Sequence, residues 1–334
     1  MTGQVRRVGL SHDLRAADGG CSWGDIGLGD LDARDDVEWE YLAPDDGVLT
    51  AAHVAGFDAV LVAAPGITAE TVSGPRPPRV VARFGVGLDA VDVPACTAAG
   101  VAVTITPDGS RRPVAAAALT LVLAVQHNLI AKDRLVREGR WQDKLALRGQ
   151  GLTGATVGTF GLGNVALELF QLMAPFEVTA IAADPGRDQQ FASAHGVELV
   201  DADTLAARSD VLVITSALTD STRNAFDDRR LRLMQPHAVL INIARGPIVD
   251  LDALTDALRA GRLAGAGLDV FDPEPLPEAH PVTSLHKVVL SPHALAWTDE
   301  LSRGNGASAV HAILDVLDGR RPPYLVNPDA WVGP

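Results

Sequence analysis

Short apolar runs bounded by Gly, Pro, Asp or Asn recur along the chain, with amphipathic stretches between them. Runs that are continuously apolar rather than alternating are strands covered on both faces, and their alternation with helical stretches predicts parallel sheets. Two series are present. The first comprises residues 5–10, 37–42, 59–63, 80–83 and 101–105, and the second residues 156–160, 178–183, 211–215, 238–244, 265–271 and 288–290. Each series predicts one open α/β sheet. The sequence Pro107-Asp108-Gly109-Ser110 reads as a break after the first series, followed by a long helix over 111–126. Near the end, Val310, Ile313, Leu314 and Leu317 recur at helical spacing, and Gly319 and Pro322-Pro323 close that helix. Residues 19–30 are Gly-rich and read as a surface loop. The expected division is 1–108 with 298–334 in one domain and 109–297 in the other.

The length of 334 residues agrees with two domains at about 150 residues each. Acidic residues outnumber basic ones 42 to 28, giving a formal net charge of −14. Such a surface repels phosphate backbones and anionic lipid, so neither nucleic acid nor membrane is an expected partner. The longest nearly apolar run, 114–125, is far short of the roughly 20 residues that cross a bilayer, and no apolar stretch of signal-peptide length follows the N-terminal charges. A cytoplasmic location is therefore expected. Cys21 and Cys96 fit no disulfide framework or zinc spacing and read as inert thiols.

Gly161-Leu162-Gly163-Asn164-Val165-Ala166 fits the G-x-G-x-x-G/A fingerprint. Its glycines permit a tight turn and close approach to a pyrophosphate, and its final small residue lets helix and strand pack. An apolar run precedes it and the helical spacing of Val165, Leu169 and Leu172 follows, so free N–H groups at a helix start would face the phosphates. Asp184 follows the next predicted strand, 21 residues after Gly163. A carboxylate there accepts hydrogen bonds from a ribose diol and repels a 2′-phosphate, which favours NAD over NADP. Two alternatives stay open: Asp184 as an ordinary turn residue, and Arg187 as a partner for a 2′-phosphate.

Arg245, Glu274 and His293 each follow a predicted strand, at the carboxyl edge that the glycine turn and Asp184 share. The types suit one chemistry: Arg to grip a carboxylate, His to exchange a proton near neutral pH, and Glu to hold the imidazole. Arg245 as a buried ion-pair partner and Glu274 as a solvated loop acid are the structural alternatives. The other eight histidines read as surface or structural residues.

The chain resembles the D-isomer-specific 2-hydroxyacid dehydrogenase family. The resemblance covers most of the chain, from Val80-Val81-Ala82-Arg83-Phe84-Gly85-Val86-Gly87-Leu88-Asp89 through the glycine fingerprint, Leu218-Thr219-Asp220-Ser221-Thr222-Arg223 and the Arg245, Glu274 and His293 segments to Val326-Asn327-Pro328. It implies a flavodoxin-like substrate domain and an NAD-binding Rossmann domain with a cleft between them. It further implies that His293 is the acid/base, Glu274 its carboxylate partner and Arg245 the anchor of substrate carboxylate and carbonyl. By the same resemblance Asp269 holds the nicotinamide carboxamide, with Ile243 and Ala217 nearby, and Val86 and Gly87 offer amides to the substrate carboxylate. A homodimer is implied too, with Gly139-Arg140-Trp141 in a dimer arm. The reaction so implied is reduction of a small 2-oxo acid to a D-2-hydroxy acid, or the reverse.

The chain departs from the family's pattern in places. Asn164-Val165-Ala166 stands for the common Arg-Ile-Gly, Ala217 for Pro and Ala116 for Glu. Ala63-Ala64-Pro65-Gly66 offers no basic side chain, which argues against phosphoglycerate, although Arg111 and Arg112 lie near the expected hinge. Arg111 and Arg112 read first as a solvated helix start, and Trp23 and Trp141 as packing residues. A family enzyme acting on phosphite, and a corepressor that senses NAD(H), are the rival functions.

Overall fold

A computed structural model of the chain describes residues 5–331 and 333. Met1 to Gln4, part of the segment read for an export signal, lie outside the described residues. The fold divides into two compact units, Met1–Pro113 with Trp297–Pro334, and Val114–Ala296.

The first unit holds β1 (Arg6–Leu10), β2 (Val37–Tyr41), β3 (Val48–Leu49), β4 (Ala59–Val62), β5 (Gly66–Ile67), β6 (Val80–Arg83) and β7 (Ala102–Thr104). Five of them form a parallel sheet in the order β2-β1-β4-β6-β7, and β3 and β5 pair separately. Counting only the main sheet, this is the 2-1-3-4-5 order of a flavodoxin-like fold, which reverses direction between β1 and β4. The all-buried run Ala59–Val62 shows why the sequence lacks alternation: both faces of this central strand are covered.

The second unit holds β8 (Thr156–Phe160), β9 (Thr179–Ala183), β10 (Glu198–Leu199), β11 (Val211–Ile214), β12 (Val239–Asn242), β13 (Gly265–Leu268) and β14 (Val288–Leu290). They form one parallel sheet in the order β10-β9-β8-β11-β12-β13-β14. That is the 3-2-1-4-5-6 order of a dinucleotide-binding fold with one strand added, reversing between β8 and β11. On β11, Val211 and Val213 pack into one apolar cluster with Leu121 and Leu169, while Leu212 and Ile214 pack into the other with Leu254 and Leu268. Each such side chain contributes about 1.5–3 kcal/mol by burial.

Three expectations are corrected. Pro107 to Ser110 do not interrupt the chain; they are the first turn of a helix over Pro107–Gln126. Proline suits a first turn because its missing N–H has no partner there anyway. Gly109 is needed because a Cβ on it would lie 2.3 Å from the Asn305 nitrogen, in the Asp299–Leu317 helix. The runs 238–244 and 265–271 leave their ladders at Asn242 and Leu268, because the residues beyond turn into the site loops. The two-residue strands β3, β5 and β10 carry too few residues to show a period.

Among the described residues, no single helix is long and apolar enough to cross a membrane, and no group of three His, Cys, Asp or Glu side chains is placed to hold a metal ion.

Candidate active site

The reversal between β8 and β11 is where the glycine fingerprint lies. Gly161 has φ +102°, and a Cβ on it would sit 2.8 Å from the backbone nitrogen of Ser216, just beyond β11. Only glycine lets these two strand ends separate so closely. Gly163 caps the helix Asn164–Met173, no side chain caps it, and a Cβ on Gly163 would meet nothing within 4 Å. Open space therefore lies above N–H groups at a helix start, which is the cradle a pyrophosphate needs. Asn164 is exposed, Val165 half-buried and Ala166 fully buried against the sheet. The group implied by the fingerprint fits the residues present.

Asp184, one residue beyond β9, accepts hydrogen bonds from Leu162 N at 2.7 Å and Gly186 N at 2.8 Å. Arg187 donates from Nε to the Leu162 carbonyl at 3.2 Å and stacks on Phe191. The Leu162 peptide is thus held from both sides by the two residues read as selecting the cofactor. Ala217 is exposed just beyond β11, and its carbonyl accepts from the Thr222 hydroxyl at 2.8 Å.

Beyond β12, β13 and β14, neighbours in the sheet, three loops interlock. Glu274 accepts from Phe271 N with one oxygen and faces His293 Nδ1 with the other, both at 2.9 Å. A carboxylate only accepts, so Nδ1 carries a hydrogen and Nε2 is left to exchange a proton. Both side chains are partly open to solvent, 38% for Glu274 and 48% for His293. His293 sits at φ +54°, a left-handed conformation that costs a branched-at-Cγ residue about 1–2 kcal/mol, and its amide donates back to Ser291. Asp269 is buried and accepts from Ala294 N at 3.1 Å and Leu295 N at 3.2 Å, tying the end of β13 to the chain just past His293.

Arg245 follows Ile243 and Ala244 beyond β12, with its Nη1 2.6 Å from the Ala244 carbonyl. Two residues that sequence reasoning missed hold this loop. Asn242, buried at the end of β12, donates to the Arg245 carbonyl at 2.9 Å and accepts from Ala244 N at 3.1 Å. Gly246 lets the backbone pass so close to Phe271 that a Cβ would lie 2.0 Å from its carbonyl carbon. A signal for Asn242 is visible in the sequence: an amide inside an otherwise apolar run. Arg245, Glu274, His293 and Asp269 thus share one sheet edge with the glycine turn.

In the first unit, Val86 is exposed and Gly87 half-buried on the loop beyond β6. Arg83 donates to the Gly87 carbonyl at 3.1 Å and to the Val62 carbonyl at 3.3 Å. Arg111 and Arg112 are exposed near the start of the Pro107–Gln126 helix, and Trp141 is exposed on the second unit.

Residues 119–294 match the model of the D-isomer specific 2-hydroxyacid dehydrogenase NAD-binding domain. The chain belongs to that family. It is 37% identical over 265 residues to a glyoxylate reductase of Thermofilum pendens, covering 78% of each. It is 36% identical over 295 residues to a D-3-phosphoglycerate dehydrogenase of Mycobacterium tuberculosis, covering 88% of this chain and 55% of that one. A solved structure from Thermus thermophilus superposes with a TM-score of 0.83 at 30% identity, over 96% of this chain and 99% of that one. The family member described here is an oxidoreductase that uses a nicotinamide cofactor.

Proposed function

We propose that the protein reduces a 2-oxo acid to a D-2-hydroxy acid, with NAD rather than NADP as its cofactor and with Arg245, Glu274 and His293 as the working residues. The observation that carries this is the Glu274–His293 pair at 2.9 Å, on the sheet edge that also bears Arg245 and the glycine turn. In this reading the first unit, expected over 1–108 and 298–334, binds substrate, and the second, expected over 109–297, binds cofactor.

A reduced nicotinamide, when bound, supplies a hydride to the carbonyl carbon. His293 Nε2 gives a proton to the carbonyl oxygen, so one hydride and one proton convert the 2-oxo acid to its alcohol. Glu274 holds the imidazole by Nδ1 and fixes the ring so that Nε2 faces the oxygen. The Arg245 guanidinium grips the substrate carboxylate through paired donors. In the oxidative direction a neutral His293 takes the hydroxyl proton. Gly161, Gly163, Asn164 and Val165 cradle the pyrophosphate, Asp184 meets the ribose, and Ala217, Ile243 and Asp269 lie toward the nicotinamide. The amides of Val86 and Gly87 are the substrate contacts proposed for the first unit.

A cytoplasmic homodimer completes the reading. Its support is a set of apolar side chains, Leu129, Ile130, Val136, Trp141 and Leu145, exposed on the second unit over the helix Leu129–Arg137 and the turn Trp141–Leu147.

The test is NADH and NADPH oxidation with a panel of 2-oxo acids, and NAD reduction with phosphite, by the protein and by His293→Asn, since asparagine tolerates the left-handed backbone. Turnover of a 2-oxo acid with NADH, lost by at least about a hundredfold in the variant, is expected. Turnover that survives the substitution removes His293 from the reaction.

A further inference from the structure

In open parallel sheets ligands bind outside the carboxyl ends of the strands, where the strand order reverses. In the first unit that point lies between β1 and β4, with β6 next to β4. The connection leaving β1 carries Trp23, and β6 runs directly into Phe84, Gly85, Val86 and Gly87. The Trp23 ring packs edge-on to Phe84 with centroids 5.1 Å apart, and its other neighbour is Trp297, 4.5 Å away. Phe84 is buried, whereas Trp297 is 60% exposed and Val86 43% exposed. The cluster therefore runs from buried Phe84, two and three residues before the Val86 and Gly87 amides proposed for the substrate carboxylate, out to the exposed ring of Trp297. Trp297 and the half-buried Trp23 thus form one contiguous aromatic patch and not a single scattered side chain, the kind of apolar surface that lines ligand sites beside a few polar groups.

The polar side of the same point disfavours a second anion. β4 is followed by Ala63-Ala64-Pro65-Gly66, and the Ala64 amide is already taken by the Asp13 carboxylate at 2.9 Å. Ser11 Oγ occupies the Ala63 amide at 3.1 Å. A phosphate placed there would meet a carboxylate and no cation from this loop, so charge opposes it.

Resting on the dehydrogenase reading above, we infer that Trp23 and Trp297 set the substrate class: a 2-oxo acid with a large apolar side chain, aromatic or branched aliphatic, rather than glyoxylate or a phosphorylated acid. Both tryptophans are specificity residues in this inference, covering the part of the substrate that does not react.

The experiment measures kcat/KM of the full chain with NADH for phenylpyruvate, 4-methyl-2-oxopentanoate, glyoxylate and 3-phosphohydroxypyruvate. Phenylpyruvate is expected to exceed glyoxylate by at least about tenfold, with the phosphorylated acid lowest, because one large apolar group in a fitted site is worth one to two decades. Trp297→Ala and Trp23→Ala are expected to lower the phenylpyruvate-to-glyoxylate ratio by about tenfold, mainly through KM, and Trp297→Phe to recover most of it. Trp297 is exposed enough for its variant to fold, as a thermal melt checks, and it carries the test if Trp23→Ala does not fold. A preference for glyoxylate or the phosphorylated acid, or a ratio unmoved in the folded variants while His293-dependent turnover persists, overturns the inference and leaves the dehydrogenase reading standing. NADH binding without turnover of any 2-oxo acid overturns both.

Discussion

Gly246→Ala tests whether the three loops at the carboxyl edge act as one mechanical assembly. The added Cβ would lie 2.0 Å from the carbonyl carbon and oxygen of Phe271 and 2.7 Å from Asp272 N. Ordinary contact begins at 3.4 Å, so the two backbones must separate by about 1.4 Å, and neither side is a flexible side-chain end that can swing away. Overpacking costs about 1–3 kcal/mol, and a backbone–backbone clash belongs at the upper end. About 3 kcal/mol lowers Tm by roughly 6–12 °C for a unit of this size. The displaced Phe271 amide is the donor that holds Glu274, and Glu274 holds His293, so the shift reaches the imidazole through two bonds. Misplacing a reacting group by about 1 Å costs roughly a hundredfold in rate. Thermal melting and NADH oxidation with the preferred 2-oxo acid read both effects. A variant within about 2 °C of the parent Tm, with kcat/KM within about twofold, would show that the loops move independently and refute the coupling.

Other outcomes follow from single sites. Asp184→Asn keeps an oxygen for the Leu162 amide but loses the charge, so kcat/KM with NADH should fall and the NADPH-to-NADH ratio rise by about tenfold, roughly the effect of removing one charge-assisted hydrogen bond; an unmoved ratio takes Asp184 out of the ribose role. Burial pushes the Cys96 thiol up to about 11, and burial also raises Cys21, so a thiol reagent at mildly alkaline pH should label at most Cys21 in the native protein and both after unfolding; native labelling of Cys96 contradicts its burial. Hydrogen bonding to Arg34 holds Asp318 down at about 2. A carboxyl depressed on folding stabilises at pH above its unfolded value and loses that contribution as pH falls through the folded one. The gap in urea midpoint between the parent and Asp318→Asn should therefore be full near neutral pH and shrink as the pH approaches about 2, and a gap independent of pH disproves the pairing.

Much of this architecture is legible in the sequence because both sheets are covered on two faces. Runs such as Val211–Ile214 are apolar at every position, short and rich in β-branched residues, which favours a buried strand over a helix, and the glycine fingerprint sits between such a run and a helix. The positions of Arg245, Glu274 and His293 one after another beyond β12, β13 and β14 are visible for the same reason. What the sequence hides are features made by two distant segments together. Gly109 reads as a breaker, because its reason, the approach of Asn305, lies about two hundred positions away. Asn242 and Gly246 carry no chemistry themselves and gain meaning only from the loops they hold. Asp269 reads toward the cofactor, and its bonds to Ala294 and Leu295 add a tie to the histidine loop that spacing alone does not reveal.

Arg83 joins the ends of two neighbouring strands through the carbonyls of Gly87 and Val62, and so it orders the loop bearing the Val86 and Gly87 amides before any ligand arrives. Fixing a residue's backbone costs about 1–2 kcal/mol in lost conformational entropy. Here that cost falls on folding and not on association, so in the role proposed for the Val86 and Gly87 amides a carboxylate would gain its affinity without first freezing the loop. On that proposal the loop would discriminate by shape at first encounter, since a mismatched ligand could not be accommodated by letting it relax.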